Sequence, residues 1–264
     1  MHPSVHVKHL SALCQQARAL KLSVTGTLKY IASDYMARVP LAERTWLIRV
    51  DGYTIPLRSN GTDARILAEV FGGVYRFESI LPVRRVLDLG ANIGLSALYF
   101  NRAHPDATIA CIEASPKNAA LLARTVSLNG LPARIIQAAI GVNNGTATFW
   151  DTKDPSCCTL IQDQRASSAS QLTVPQITVE SVMAQMGWDA LDLVKIDIEG
   201  YERFLLKHNV EWLGKTAAIL GEIHEGYSFG ELSSDLHPFG FTVTERSRNE
   251  VHGMVNFVAV KNTA

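Results

Sequence analysis

At 264 residues, 47% of them hydrophobic, the chain suits one large α/β domain with an N-terminal elaboration and a substantial core. Twenty-five basic residues offset twenty-five acidic ones, and no basic stripe with interleaved aromatics appears, so nucleic acid is not an expected partner. No apolar run reaches membrane-spanning length, the first residues lack a signal-peptide core, and Cys14, Cys111, Cys157 and Cys158 have neither metal nor disulfide-framework spacing; the expectation is a reduced, cytoplasmic protein with no membrane partner.

The first eighty residues read as helices near Val7–Leu20 and Thr27–Arg38, then strands Thr45–Val50 and Tyr53–Leu57 around Asp51-Gly52. Asp-Gly between two such runs is a strong hairpin signal. Gly61–Phe71 reads as a third helix ended by Gly72-Gly73, and His2, His6 and His9 as a solvated tail. We place a boundary at residue 80, with residues 1–80 expected to wall part of an acceptor pocket and 81–264 to form the catalytic domain. From Val83 onward strands and helices alternate: Val86–Leu89, helix 94–103, Thr108–Glu113, helix 117–129, Arg134–Ala138. That rhythm predicts a parallel sheet with right-handed crossovers. Gly141–Ala169 reads as a long loop broken by a short Thr146–Trp150 strand, and loops of that size are often functional. Its Trp150, Cys157 and Cys158, with Tyr75, Phe77 and Tyr227 elsewhere, are candidates to line an acceptor pocket, although core packing would serve any one aromatic equally.

Arg85 to Leu98 holds the most informative turn. An apolar strand runs into Asp88, Gly90, Ala91, Asn92 and Gly94, and a helix follows at once. Gly90 and Gly94 remove Cβ atoms where backbone and ligand must approach, and Asn92 tolerates left-handed backbone. A dinucleotide fingerprint would want glycine at positions 92 and 95, where this chain has Asn92 and Leu95. The spacing instead fits acid-x-Gly-x-x-x-Gly, and an acid suits a ligand with a positive charge and an amino group rather than a pyrophosphate. S-adenosylmethionine is such a ligand. The next strand ends in Glu113, whose carboxylate can accept both ribose hydroxyls; Ser115 and Pro116 read as N-cap and first helical residue. Ala114 and Ala138 are small residues that would leave room for a flat adenine.

A second chemical centre starts at Leu191. The strand Leu191-Asp-Leu-Val-Lys-Ile ends beside Asp197, with Glu199 and Gly200 opening a helix over Tyr201–Leu206, and the next strand, Ala217–Ile223, delivers Glu222 and His224. In an open α/β sheet the ligand lies beyond the carboxyl ends of the strands, so Asp88, Glu113, Asp197, Glu199, Glu222 and His224 are expected on one rim. Ionisable groups there are costly to desolvate without a purpose. Plainer roles are open to several: Glu199 as a helix cap, Glu222 paired with Lys195, His224 as a hydrogen-bonded rim histidine. Asp197, Glu222 and His224 could also offer a mixed oxygen and nitrogen set to a divalent metal, which no side-by-side carboxylate motif demands.

The segments Val86-Leu-Asp-Leu-Gly-Ala-Asn-Ile-Gly-Leu-Ser, Ile112-Glu-Ala-Ser-Pro-Lys-Asn, Leu128-Asn-Gly-Leu and Leu193-Val-Lys-Ile-Asp-Ile-Glu-Gly-Tyr-Glu resemble the FkbM-type S-adenosylmethionine-dependent methyltransferases, over roughly Tyr75 to Lys261. The Lys195–Glu202 block is the most specific part. The chain departs from the usual pattern at Ala114, where proline is common, and at Cys157-Cys158. The resemblance implies a class I Rossmann-like sheet, mostly parallel with an antiparallel last strand, S-adenosylmethionine as co-substrate, and O-methyl transfer to a hydroxyl of a sugar, polyketide or other small natural product. His224 or Asp197 would act as base, with Glu199 and Glu222 orienting base or substrate. Carboxylate or amine acceptors would use the same cofactor motifs; an NAD-type oxidoreductase and a non-catalytic binding protein are the rival classes. No motif specifies an oligomeric state.

Overall fold

The structure is a computed structural model and describes residues 3–35, 44–78, 82–152, 159–161, 169–250 and 253–262. The end of the predicted helix at Arg38, together with Cys157 and Cys158, lies outside the described residues. The chain divides into two compact units, Met1–Val74 with Ala123–Leu131, and Tyr75–Leu122 with Pro132–Ala264.

The first unit holds α1 (Pro3–Ala19), α2 (Val24–Tyr35), the hairpin β1 (Thr45–Val50) and β2 (Tyr53–Arg58), and α3 (Thr62–Phe71). Between the strands Asp51 and Gly52 take φ values of 48° and 87°, the left-handed pair that a two-residue hairpin turn requires. At the far end of β2 the Asp63 carboxylate accepts the Arg58 backbone N–H and its guanidinium, at 2.9–3.0 Å, so both charges are buried yet satisfied.

The second unit runs β3 (Arg85–Leu89), α4 (Leu95–Ala103), β4 (Thr108–Glu113), α5 (Pro116–Asn129), β5 (Ala133–Gln137), β6 (Ala139–Ile140), β7 (Gly145–Asp151) and β8 (Ser170–Ile177). It continues through α6 (Val179–Met186), β9 (Leu191–Ile196), α7 (Glu202–Leu205), β10 (Thr216–Ile223), α8 (Phe229–Leu236), β11 (Phe241–Asn249) and β12 (Met254–Lys261). The last residues of α5 belong to the first unit, where the Asn129 carboxamide accepts the Thr54 N–H at 2.7 Å and donates to the Thr54 carbonyl at 2.9 Å.

Seven strands form the central sheet in the order β11-β12-β10-β9-β3-β4-β5. β12 is antiparallel to both of its neighbours, while β10, β9, β3, β4 and β5 pair in parallel. The inner strands are largely apolar and buried; Val86, Leu87, Leu89, Ile109, Leu193 and Val194 are wholly buried. β6, β8 and β7 form a separate three-stranded sheet. Within the predicted Gly141–Ala169 loop the expected short strand is β7, which pairs antiparallel with β8, and β8 was not anticipated. Pro175 within Ser170–Ile177 masks it: β6 pairs only with Gln176 and Ile177, so on that side Pro175 lies on an edge. No helix among the described residues is long and apolar enough to cross a membrane.

Candidate active site at the carboxyl edge of the central sheet

Asp88 and Lys195 stand opposite one another on β3 and β9, and neither reaches solvent. Lys195 Nζ lies 3.4 Å from Asp88 Oδ1 and 3.7 Å from Asp197 Oδ2, and donates to the Gly90 carbonyl at 2.7 Å. The other Asp88 oxygen accepts the Ser96 hydroxyl at 2.5 Å. Burial alone would strip the Lys195 proton, but Asp88 and Asp197 outweigh it and hold the ammonium above its ordinary range. Asp88 is thus a buried counter-charge to Lys195 at the base of the turn. Lys195 pairs with Asp88 rather than with Glu222.

Gly90 (φ 76°) is needed for a reason internal to the chain. A Cβ there would fall 1.9 Å from the Asp197 carbonyl oxygen, so glycine lets the end of β9 pass the β3 turn. The N–H groups of Gly90 and Ala91 both go to the Ile112 carbonyl, at 3.0 Å each. Asn92 is left-handed (φ 49°), and Gly94 (φ 89°) is the N-cap of α4. The Asn92 N–H donates to Glu113 Oε2 at 2.8 Å, while Asn92 Oδ1 is buried with no hydrogen-bond partner among the described residues.

Glu113 stands at the tip of β4, 6% exposed. Besides Asn92 it accepts the Ser115 N–H at 2.9 Å and lies 3.4 Å from Asn118 Nδ2. Burial pushes its pKa up, and the N–H donors of Ser115 and Asn92 only partly offset this. Ala138 is buried in the main core, and Ala114 packs on the small sheet against Ala139, Phe149 and Val174.

Across the edge, β9 and β10 bring Asp197, Glu199, Glu222 and His224 together. Asp197 accepts the Tyr75 hydroxyl at 2.9 Å. Burial raises the Asp197 pKa, but Lys195 and His224 more than offset this and hold it below the ordinary carboxylate range. Glu199 is left-handed (φ 54°), and its carbonyl accepts the Thr159 hydroxyl at 2.7 Å. His224 is 5% exposed. Its Nδ1 lies 3.0 Å from Glu202 Oε1, and its Nε2 lies 3.5 Å from Glu199 Oε2 and 3.4 Å from Glu222 Oε1. Burial lowers the His224 pKa, yet Glu202 and then Glu199 and Asp197 outweigh it, and the imidazole is pushed up to about 10. Glu222 also accepts the Asn256 carboxamide at 3.0 Å.

Glu202, wholly buried, was missed by the sequence reading, as was the bond from Tyr75 to Asp197. Glu202 takes the backbone N–H groups of Ile198 and Gly200 at 3.1–3.2 Å, the capping task considered for Glu199. The second glutamate of Glu199-Gly-Tyr-Glu202 was the available signal. Asp197, Glu199 and His224 each offer one donor atom, all within 4.8 Å of one another, so Glu199 rather than Glu222 completes the tightest set.

This sheet order, with one antiparallel strand inserted next to the edge and a glycine-bearing turn after β3, defines a class I Rossmann-like methyltransferase fold. Residues 88–247 match the Methyltransferase FkbM domain, a span that begins at Asp88 and contains Asn92, Glu113, Asp197, Glu199, Glu202, Glu222 and His224. The chain belongs to this family and is a methyltransferase of the FkbM type, and the oxidoreductase alternative falls. It is 25% identical over 211 residues to 31-O-demethyl-FK506 methyltransferase FkbM of Streptomyces tacrolimicus, covering 68% of this chain and 81% of that protein. It is 26% identical over 152 residues to Methyltransferase sdnD of Sordaria araneosa, covering 46% of this chain and 59% of that one. The crystal structure of Methyltransferase FkbM from Methylobacillus flagellatus KT shares the fold, with a TM-score of 0.50 and 13% identity, over 89% of this chain and 59% of that one.

Proposed function

We propose that the protein is an S-adenosylmethionine-dependent O-methyltransferase of the cytoplasm that acts on a hydroxyl of a small natural product or sugar. The observation that carries this reading is the convergence, at one end of four adjacent strands, of the Asn92–Glu113 corner and the Asp197, Glu199, Glu222 and His224 group. The corner fits the donor: Glu113 Oε2 accepts one N–H and has room for a ribose hydroxyl, and Asn92 Oδ1 is a buried acceptor in want of a donor. The hydroxyl acceptor is supported by the relative whose name specifies 31-O-demethyl-FK506.

Bound there, S-adenosylmethionine would supply a methyl carbon for in-line attack by an acceptor oxygen, the C–S bond breaking and S-adenosylhomocysteine leaving. The protein's task is alignment, worth up to about 7–11 kcal/mol in favourable systems, together with a place for the acceptor's proton. Environment separates the two candidate bases. His224, its pKa at about 10, is already protonated through the neutral range, whereas Asp197 is ionised. Asp197 therefore takes the proton, late, once the forming O–CH3 bond has made the hydroxyl acidic. Glu199 and Glu222 orient the acceptor.

Calorimetry with S-adenosylhomocysteine, followed by mass spectrometry of a pool of hydroxylated metabolites incubated with enzyme and S-adenosylmethionine, tests the reading. It expects saturable binding and products heavier by one methyl. Absence of S-adenosylhomocysteine binding removes it.

A further inference from the structure

The donor corner leaves the cluster on β9 and β10 without an account of its charge. We infer that Asp197, Glu199 and His224 form a binding site for a small divalent cation of the manganese and magnesium class, with Glu202 as the residue that aims the histidine into it. This deepens the methyltransferase reading and rests on it for the cation's use, not for its binding.

Three observations carry the inference. First, the donor atoms of Asp197, Glu199 and His224 lie within 4.8 Å of one another. Second, His224 is 5% exposed and its Nε2 has no hydrogen-bond partner among the described residues; it faces Glu199 Oε2 at 3.5 Å and Glu222 Oε1 at 3.4 Å. Ligands about 2.1 Å from a shared ion stand roughly 3.0–3.5 Å apart in octahedral or tetrahedral geometry, a spacing that His224 and Glu199 already have, with the Asp197 donor within 4.8 Å of both. Third, the other ring nitrogen is committed. Nδ1 meets Glu202, a wholly buried side chain whose oxygens also accept the Ile198 and Gly200 N–H groups and which therefore faces the ring as an acceptor. Nδ1 keeps its hydrogen, and Nε2 is left to coordinate, the carboxylate–histidine–metal arrangement that fixes ring orientation in metal sites.

Donor chemistry selects the ion. Two carboxylates and one imidazole, with Glu222 beside them, suit manganese or magnesium, and the imidazole favours manganese over calcium. As the metal–nitrogen bond forms, any proton on Nε2 leaves to solvent. A cation held there would make a hydroxyl bound to it lose its proton more readily.

Titration of the full chain with Mn2+, followed by the electron paramagnetic resonance signal of the free ion, tests the site without cofactor or acceptor. One saturable site per chain is expected, with a Kd weakened at least tenfold in Glu199→Gln and in His224→Ala. Glu202→Gln should weaken it by about 10- to 100-fold while thermal melting and S-adenosylhomocysteine binding hold. If His224→Ala fails to fold, Glu199→Gln, altered at a partly exposed position, decides. Absence of saturable binding, or Mn2+ affinity unchanged in a folded Glu199→Gln, overturns the proposal. Mn2+ binding without S-adenosylhomocysteine binding leaves the cation site standing and removes the methyl donor; the reverse result removes the cation alone.

Discussion

Lys195 and Asp88 face each other across neighbouring parallel strands with 3.4 Å between their charges and both side chains sealed from water. The same ammonium holds the Leu89 and Gly90 carbonyls at 3.3 and 2.7 Å, so it ties the end of β3 to the turn above it. A buried charge stripped of its partner is far more costly than a pair removed whole. Lys195→Met should lower unfolding free energy by about 3–5 kcal/mol, and adding Asp88→Asn should recover more than half of the loss. Urea denaturation of both variants measures the difference.

Gly90 tolerates no side chain. Its left-handed φ and the Asp197 carbonyl oxygen 1.9 Å from a prospective Cβ leave backbone movement as the only relief. Gly90→Ala should weaken S-adenosylhomocysteine binding at least tenfold and cost about 1–3 kcal/mol of stability, seen by calorimetry and thermal melting. Gly130→Ala is the control: φ is also left-handed there, but nothing lies within 4 Å, so only the backbone cost applies.

Glu113 gives two opposed pH slopes. Its folded pKa is raised above the ordinary 4.5, so the folded chain holds this proton more tightly than the unfolded chain does. Its contribution to stability is fully present below pH 4.5 and is lost as pH rises through the raised value. Recognition of ribose hydroxyls needs the carboxylate, so S-adenosylhomocysteine affinity should climb over the same window. Glu113→Gln should flatten both slopes and raise Kd by about 10- to 100-fold at neutral pH, the worth of one charged hydrogen bond. Stability and calorimetry measured across that window check the signs together.

Asp192 fastens the start of β3 to β9, accepting the Arg84 and Arg85 N–H groups at 2.9 and 2.8 Å and the Arg85 guanidinium at 3.0 Å. Burial pushes its pKa up, but the Arg85 side chain and the two N–H groups outweigh it, so the folded value lies below the ordinary 3.8. A depressed carboxylate stabilises above its unfolded pKa and loses that contribution as pH falls through the folded one. Asp192→Asn should cost about 1 kcal/mol near neutrality, reduced by partial solvent exposure, and nothing in strong acid. Chemical denaturation at the two pH extremes reads it.

Local rules made the frame legible. Asp51-Gly52 marked the hairpin, Thr108–Glu113 forms a strand over the expected residues, and Ser115 followed by Pro116 opened α5 as read. Asp197, Glu199, Glu222 and His224 were named from the ends of two neighbouring strands, and the fold brings them together. Pairing between distant segments stayed hidden. Nothing local tells Asp88 that Lys195 will face it from the neighbouring strand, or Ala138 that it will join the main core. Glu202 was given no role, because periodicity records which face of a helix is polar and not which buried donors that face meets. β8 escaped because an internal proline reads as a break unless the strand's edge character is known.

The late position of β12 in the chain has a consequence for biogenesis. Met254–Lys261 is inserted between β10 and β11, and Asn256 supplies the amide that holds Glu222. During translation β10 presents a bare edge until Met254–Lys261 has cleared the ribosome exit tunnel. The acidic end of that strand thus acquires its finished shape only after β11 and β12 have both been made, and a nascent chain halted before Met254 carries an exposed strand that invites misplaced pairing with its neighbours.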